Sequence, residues 1–293
     1  MSETTAVIGA GTMGIRMIQQ LLAAGHQVRV YDPDSAASSR ADQHGATTTD
    51  SPAEAASGST VCLLSLPTPD VVNEVTGSGT GILGAADLPR VVADTSTVDP
   101  ATTQGAASRM REHGVGYLDT PVLGRPDRCD QWTLPVGGGH EDLDAAAATL
   151  RVIAANLVHV GPSGTGNAVK LLNNFMFAAI NAVTAECLAG ARRVGLDPAM
   201  FVQTIAGSGA ASVSNLFREI GPKMAEAEFS PAFSLELLHK DVNLAVSMLE
   251  QGGAHSTLGP VLAGLSERGL SAGLGKLDTS ALVQLFWDDD ARM

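Results

Sequence analysis

The feature that most narrows the possible folds is Gly9-x-Gly11-x-x-Gly14, set between a short apolar run and a helical pattern. Residues 5–8 (Thr-Ala-Val-Ile) read as a strand, and Met17, Ile18, Leu21 and Leu22 recur at helical spacing. Gly25 ends that helix, and residues 28–31 read as a second strand. Strand, glycine turn, helix and strand in this order make a βαβ unit, which implies a parallel sheet covered by helices. Gly9 permits the tight turn, Gly11 lets a pyrophosphate approach the backbone, and Gly14 allows close helix–strand packing. Thr12 and Met13 lie inside the run, where the helix N-terminus offers free N–H groups to phosphates. A glycine run alone is common, but Asp32, beside Tyr31 and 18 residues past Gly14, stands at the expected distance. A carboxylate there accepts hydrogen bonds from an adenosine ribose and repels a 2′-phosphate. No Arg or Lys lies between Arg29 and Arg40, so NAD is expected and NADP disfavoured. The alternative for Asp32 is an ordinary residue of a turn-rich Asp-Pro-Asp-Ser stretch.

The pattern continues with expected strands at 5–8, 27–31, 61–64, 91–94, 116–119, 133–137 and 157–160, separated by helical or turn-rich segments. After Gly161 the strands stop. From Asn167 the pattern is helical, with breaks near Gly195, residues 207–209, Pro231, residues 252–253 and residues 273–275. The expected organisation is a Rossmann-like, mostly parallel, doubly wound α/β domain over residues 1–162. An all-α domain over residues 163–293 follows, joined to it by a long helix.

That helix carries a second signal. At about 100° per residue, Lys170, Asn173, Asn174, Asn181 and Thr184 share one stripe roughly 100° wide, while the remaining circumference is almost entirely apolar. A surface helix shows the reverse. The expectation is a helix buried on most sides, with a polar seam lining a cavity, because an unpartnered buried ammonium is costly. The alternative is a seam that simply faces water.

Composition excludes several classes. The net charge of −13 argues against nucleic acid or an anionic membrane as partner. Cys62, Cys129 and Cys187 are too scattered for a disulfide framework or zinc site and fit a reducing compartment. No basic, apolar leader precedes the first strand, and Asn181, Thr184 and Glu186 interrupt the most apolar window. A cytoplasmic enzyme with no metal is expected. His26 reads as structural, His239 as a helix-lining residue, Phe286 and Trp287 as packing anchors, and residues 288–290 as a solvated acidic tail.

Four motifs, in order, resemble the β-hydroxyacid dehydrogenase family, typified by 3-hydroxyisobutyrate dehydrogenase. They are Gly9-Ala-Gly-Thr-Met-Gly; Asp94-Thr-Ser-Thr-Val-Asp-Pro; Asp119-Thr-Pro-Val with Thr133-Leu-Pro-Val-Gly-Gly; and Gly164-x-Gly with Lys170-Leu-Leu-Asn-Asn, followed by His239-Lys-Asp-Val-Asn-Leu-Ala. The match runs in register over essentially the whole chain. The resemblance implies that Lys170 is the catalytic acid–base and that Asn174 helps to place it and the substrate, with Asn173 beside them. It implies that Leu66, Pro67, Val71, Ser96 and Thr97 flank the nicotinamide half of the cofactor, and that Lys240 lies near both cofactor and substrate. It also implies a homodimer or homotetramer built through the helical part.

One segment departs from the family. Members usually carry Ser-Gly-Gly after Asp-x-Pro-Val to cradle a substrate carboxylate; here Leu123, Gly124 and Arg125 stand there, and Trp132 replaces a usual glycine. Arg125 is expected to contact a carboxylate or related oxyanion such as sulfonate bidentately, or else to pair with Asp127 or Asp130 in solvent. The expected activity is reversible hydride transfer between NAD and a small β-hydroxy acid or related anionic alcohol or semialdehyde. The rivals are an imine or aldehyde reductase on the same fold and a dinucleotide-binding sensor without turnover.

Overall fold

A computed structural model describes residues 3–77, 79–210, 212 and 214–287; the acidic stretch 288–290 lies outside them. The strands are β1 (Thr4–Ile8), β2 (Gln27–Tyr31), β3 (Thr47–Thr48), β4 (Val61–Leu64), β5 (Val91–Asp94), β6 (Gly116–Asp119), β7 (Trp132–Gly137) and β8 (Ala154–Gly161). Interleaved with them are α1 (Gly14–Ala23), α2 (Ser35–Gln43), α3 (Pro52–Ala56), α4 (Pro69–Val75), α5 (Pro100–Glu112) and α6 (His140–Ile153). Among the described residues the strands form one sheet in the order β3-β2-β1-β4-β5-β6-β7-β8. All neighbours are parallel except β6 and β7, which meet antiparallel at Asp119 opposite Gly137.

The order reverses between β1 and β4, the switch point of a doubly wound sheet. The central strands β4 and β5 are buried throughout, as strands covered by helices on both faces must be. Alternation divides their side chains between two cores. Val7, Val61, Leu63, Val91 and Ala93 pack with α1, α2 and α6 on one face. Ala6, Ile8, Cys62, Leu64 and Val92 pack with Val72, Ala106 and Met110 on the other. The expected strands all appear within a few residues; β3 was not expected, being two exposed threonines.

The helices that follow are α7 (Thr165–Arg193), α8 (Pro198–Ala206), α9 (Asn215–Glu226), α10 (Leu235–Gln251), α11 (Gly259–Ser271) and α12 (Gln284–Trp287). The contacts partition the chain into Met1–Lys170 and Leu171–Met293. The first turn of α7 stays with the first unit because Asp119 and Asn167 bond it there. The Asp119 carboxylate accepts the N–H groups of Gly164 (2.9 Å) and Asn167 (2.8 Å). The Asn167 side chain accepts from Val98 N–H and donates to Thr103.

In the second unit Ala178 and Ala182 pack with Leu235, Leu238 and Val242, while Ala185 and Leu188 pack with Phe217, Ile220 and Met224. By length and composition α7 is apolar enough to cross a membrane, with a hydropathy of 1.3, although 44% of that window is buried within the chain.

The expectation for α7 needs correction on two points. Its apolar flank is not buried on most sides: Leu172, Met176 and Val183 are 42%, 59% and 55% exposed. Conversely, Asn181 and Thr184 line no cavity. They are buried, with the Asn181 amide donating to Thr279 O and the Thr184 hydroxyl to Ile180 O. Phe286 and Trp287 pack against the core as expected, with the Arg192 guanidinium 5.6 Å over the Trp287 ring.

Candidate active site

The expected site residues of the first unit follow the C-terminal ends of adjacent parallel strands. Gly9 follows β1, Asp32 follows β2, Leu66 follows β4, Ser96 follows β5 and Leu123 follows β6. In an open α/β sheet this is where ligands bind. A depression lined by Thr4, His26, Arg29 and Ser57 lies instead near the opposite ends of β1 and β2. There the His26 ring holds the Thr5 hydroxyl.

The glycine turn fits a dinucleotide. A Cβ on Gly14 would stand 1.9 Å from Gly9 O, and one on Gly9 would stand 2.2 Å from Ser65 O, so both positions must be glycine for the turn to pack. A Cβ on Gly11 would meet no protein atom within 4 Å, leaving the backbone open on the side that a pyrophosphate approaches. Asp32 closes the turn from below: its Oδ2 accepts the Ala10 N–H at 2.6 Å and its Oδ1 accepts the Asp34 N–H at 2.8 Å.

The nicotinamide-side candidates are joined by hydrogen bonds. Leu66 N–H donates to the Ser96 hydroxyl at 2.9 Å, and Ser96 N–H donates to the Asp94 carboxylate at 2.8 Å. The other Asp94 oxygen accepts the Tyr117 hydroxyl at 2.7 Å. Burial pushes the Asp94 carboxyl up to about 6 despite those bonds to Ser96 and Tyr117. Thr68 caps α4 by accepting the Val71 N–H, placing Val71 in its first turn.

Lys170 stands near the start of α7 and donates to the Val122 carbonyl at 2.8 Å. Val122 is three residues past Asp119, whose carboxylate holds the preceding turn of the same helix. The segment 119–122 therefore grips α7 twice, once by its backbone N–H groups and once by the lysine. Gly166 makes this approach possible, since a Cβ there would stand 2.6 Å from the carbonyl oxygens of Asp119 and Pro135. Burial pushes the Asp119 carboxyl upward, opposed by the Gly164 and Asn167 N–H groups.

In the second unit Asn174 donates to Asp241 Oδ2 at 2.6 Å and accepts from Asn173 at 3.1 Å. Lys240 pairs with Asp241 Oδ1 at 3.2 Å. Asp241 thus orients two expected site residues without having been singled out. Its place beside Lys240 in the motif His239-Lys-Asp-Val-Asn-Leu-Ala was the available signal, and the pairing stayed hidden because Asn174 is 67 residues away. His239 is held by Ser266 and Glu267. Among the described residues no group of three or more His, Cys, Asp or Glu could hold a metal ion.

A doubly wound sheet, a glycine turn shaped for a dinucleotide and a lysine fixed beside the β6 loop define a Rossmann-type oxidoreductase. Residues 4–161 match the NAD-binding domain of 6-phosphogluconate dehydrogenase, and residues 164–286 match the NAD-binding domain of NADP-dependent 3-hydroxyisobutyrate dehydrogenase. The chain belongs to the 3-hydroxyisobutyrate dehydrogenase-like family of NAD(P)-dependent oxidoreductases acting on CH–OH groups. It is 32% identical to 3-sulfolactaldehyde reductase of Escherichia coli over 95% of this chain and 94% of that one. It is 29% identical to 2-(hydroxymethyl)glutarate dehydrogenase of Eubacterium barkeri over 95% and 93%. The solved structure of Mycobacterium tuberculosis 3-hydroxyisobutyrate dehydrogenase with L-serine superposes with a TM-score of 0.86 at 30% identity, covering 97% of this chain and 99% of that one.

Proposed function

We propose that the protein transfers hydride between NAD and a small β-hydroxy acid or a related anionic alcohol or semialdehyde, with Lys170 as general acid–base. The observation that carries this reading is the Lys170–Val122 hydrogen bond. It holds a proton-transferring amine against the residue that immediately precedes Leu123, Gly124 and Arg125, the segment assigned to the substrate's anion. Nicotinamide supplies the hydride chemistry when bound; the chain's own residues have to bind, orient and move one proton. In oxidation Lys170 takes the hydroxyl proton, and in reduction it returns a proton to the oxygen.

Asn174, one turn further along α7, is assigned to placing the substrate, with Asn173 and Lys240 beside it. Gly9, Gly11, Thr12, Met13 and Gly14 are assigned to the pyrophosphate. Tyr31 and Asp32 are assigned to the adenosine ribose, and Leu66, Pro67, Val71, Ser96 and Thr97 to the nicotinamide half. The preference for NAD rests on the Asp32 carboxylate, which meets a 2′-phosphate with like charge. The exposed apolar side chains of the helical unit, Met176, Val183, Met200 and Val261 among them, support self-association there as a homodimer or homotetramer. Compartment and partners follow the same reading: a cytoplasmic enzyme of small molecules, with α7 as a core helix.

The test is NADH formation from NAD with a panel of β-hydroxy acids and hydroxysulfonates, repeated with NADP and with Lys170→Ala. We expect NAD to be preferred and the variant to lose about 10²–10⁴-fold in kcat, the usual scale for a missing acid–base group. Equal rates in variant and wild type would sink the lysine mechanism.

A further inference from the structure

The substrate segment of this chain has a support that its relatives' usual glycine would lack. We propose that Trp132 is a specificity-determining positioning residue, which locks Leu123, Gly124 and Arg125 into one shape and so fixes the direction from which Arg125 meets the substrate's oxyanion. This deepens the reading above and rests on it.

Three observations concern Trp132 itself and two concern the segment it supports. Its side chain is fully buried at the start of β7, and the indole N–H donates to the Arg125 carbonyl at 2.7 Å. Gly124 lies against the ring: a Cβ there would stand 2.3 Å from Trp132 Cδ1, so while the indole is present no other residue fits at 124. Leu123 and Thr133 then exchange backbone hydrogen bonds of 3.0 and 3.2 Å as an isolated antiparallel bridge. Finally, the Arg125 carbonyl accepts a second bond, from Arg128 N–H at 3.0 Å.

The rest of residues 123–133 is equally built. A short 3-10 turn spans Pro126–Arg128, Asp130 adopts φ 81°, and its N–H reaches Ile153 O at 2.9 Å. With its carbonyl accepting from both Trp132 and Arg128 and the bridge in place, the Arg125 backbone cannot rotate without breaking bonds. A planar guanidinium launched from a fixed backbone recognises a carboxylate or sulfonate by geometry as well as charge. An arginine braced in this way selects among ligands by the geometry of their oxyanion.

The experiment compares wild type, Trp132→Phe, Arg125→Ala and the double variant. Phe keeps an aromatic ring beside Gly124 but removes the N–H donor together with the volume of the indole's second ring, and the amide exchange separates the two effects. The probes are 3-hydroxyisobutyrate and 2,3-dihydroxypropanesulfonate, with NAD affinity by calorimetry and amide hydrogen exchange at Leu123 and Thr133. We expect Trp132→Phe to raise KM for the preferred acid about tenfold, the scale of one lost hydrogen bond to a positioned group. NAD affinity should hold, and the ratio between the two probes should move toward one. In the Arg125→Ala background the Phe substitution should add less than about twofold, since residues acting as one unit are non-additive.

Two results overturn the inference while leaving the dehydrogenase reading intact. One is Arg125→Ala raising KM while Trp132→Phe does not. The other is full additivity in the double variant, the signature of a merely structural role. An unchanged KM in Arg125→Ala removes the arginine from the site and the inference with it. Unchanged amide exchange in Trp132→Phe overturns the bracing even where no probe is turned over; a wild type that turns over neither acid overturns the proposed function itself.

Discussion

At the scale of single residues, the least visible contributor in the sequence is the buried pair Asp94 and Tyr117. Asp94 stands under Ser96 and holds its backbone, so the side chain that receives Leu66 N–H is fixed from beneath. Keeping Asp94 charged costs free energy because it is buried, and its carboxyl is pushed up to about 6. A raised carboxyl contributes stability that is fully present below the ordinary carboxylate range and lost as pH rises through the folded value. The swing is on the order of 3 kcal/mol. Tyr117→Phe removes one of the bonds that hold the charge down. We expect the variant to lose more stability at about pH 7.5 than at about pH 5 in denaturant titrations. An equal loss at both would show that the hydroxyl does no more than fill space.

At the scale of elements, the start of α7 is where chemistry and fold meet. Asp119→Asn keeps the shape but sets an amide N–H against one of the two donors it now serves. The expected cost is about 2–3 kcal/mol of stability for an unsatisfied buried group. Because Lys170 lies one turn on, kcat should fall while NAD affinity holds; an unchanged kcat in a destabilised protein would confine Asp119 to the fold.

How much of these elements was legible follows from their physics. β4 and β5 are covered on both faces and read as apolar runs, broken only by Asp94 at the end of β5, so their limits were visible. β3, two exposed threonines, left no trace in the pattern. The stripe on α7 was legible as a stripe, but not the side it turns inward. That depends on Thr279 meeting Asn181, and Asp241 meeting Asn174, across 98 and 67 residues. A separation of 45 residues likewise hid Asp119's hold on Gly164, although both residues stood in recognised motifs. Trp132 stood out as a departure, yet its bond to Arg125 needed the hairpin to be seen.

At the scale of the whole molecule, the two units differ in what they leave uncovered. In the helical unit Met176 and Val183 are seven residues apart on one face of α7 and more than half exposed. A chain that presents this much apolar surface is expected to cover it with a second copy. Light scattering on a sizing column should give a mass at least twice that of one 30.0 kDa chain. Met176→Glu combined with Val183→Glu should lower it. A monomeric wild type would refute the association.

The other uncovered feature is the eight-residue strand β8, which ends the sheet with β7 on one side only. Val158 and Val160 point outward along it, 47% and 36% exposed, and the strand carries no lysine, aspartate or glutamate. Edges of this kind nucleate intermolecular sheets unless something keeps copies apart. The strand carries none of the acidic or lysine side chains that guard such an edge, so long-range repulsion from a net charge of −13 is expected to keep copies apart. Its colloidal behaviour is therefore tied to acidity. As the medium nears the isoelectric point of about 4.8, that shield collapses, and turbidity should begin from this margin of the sheet.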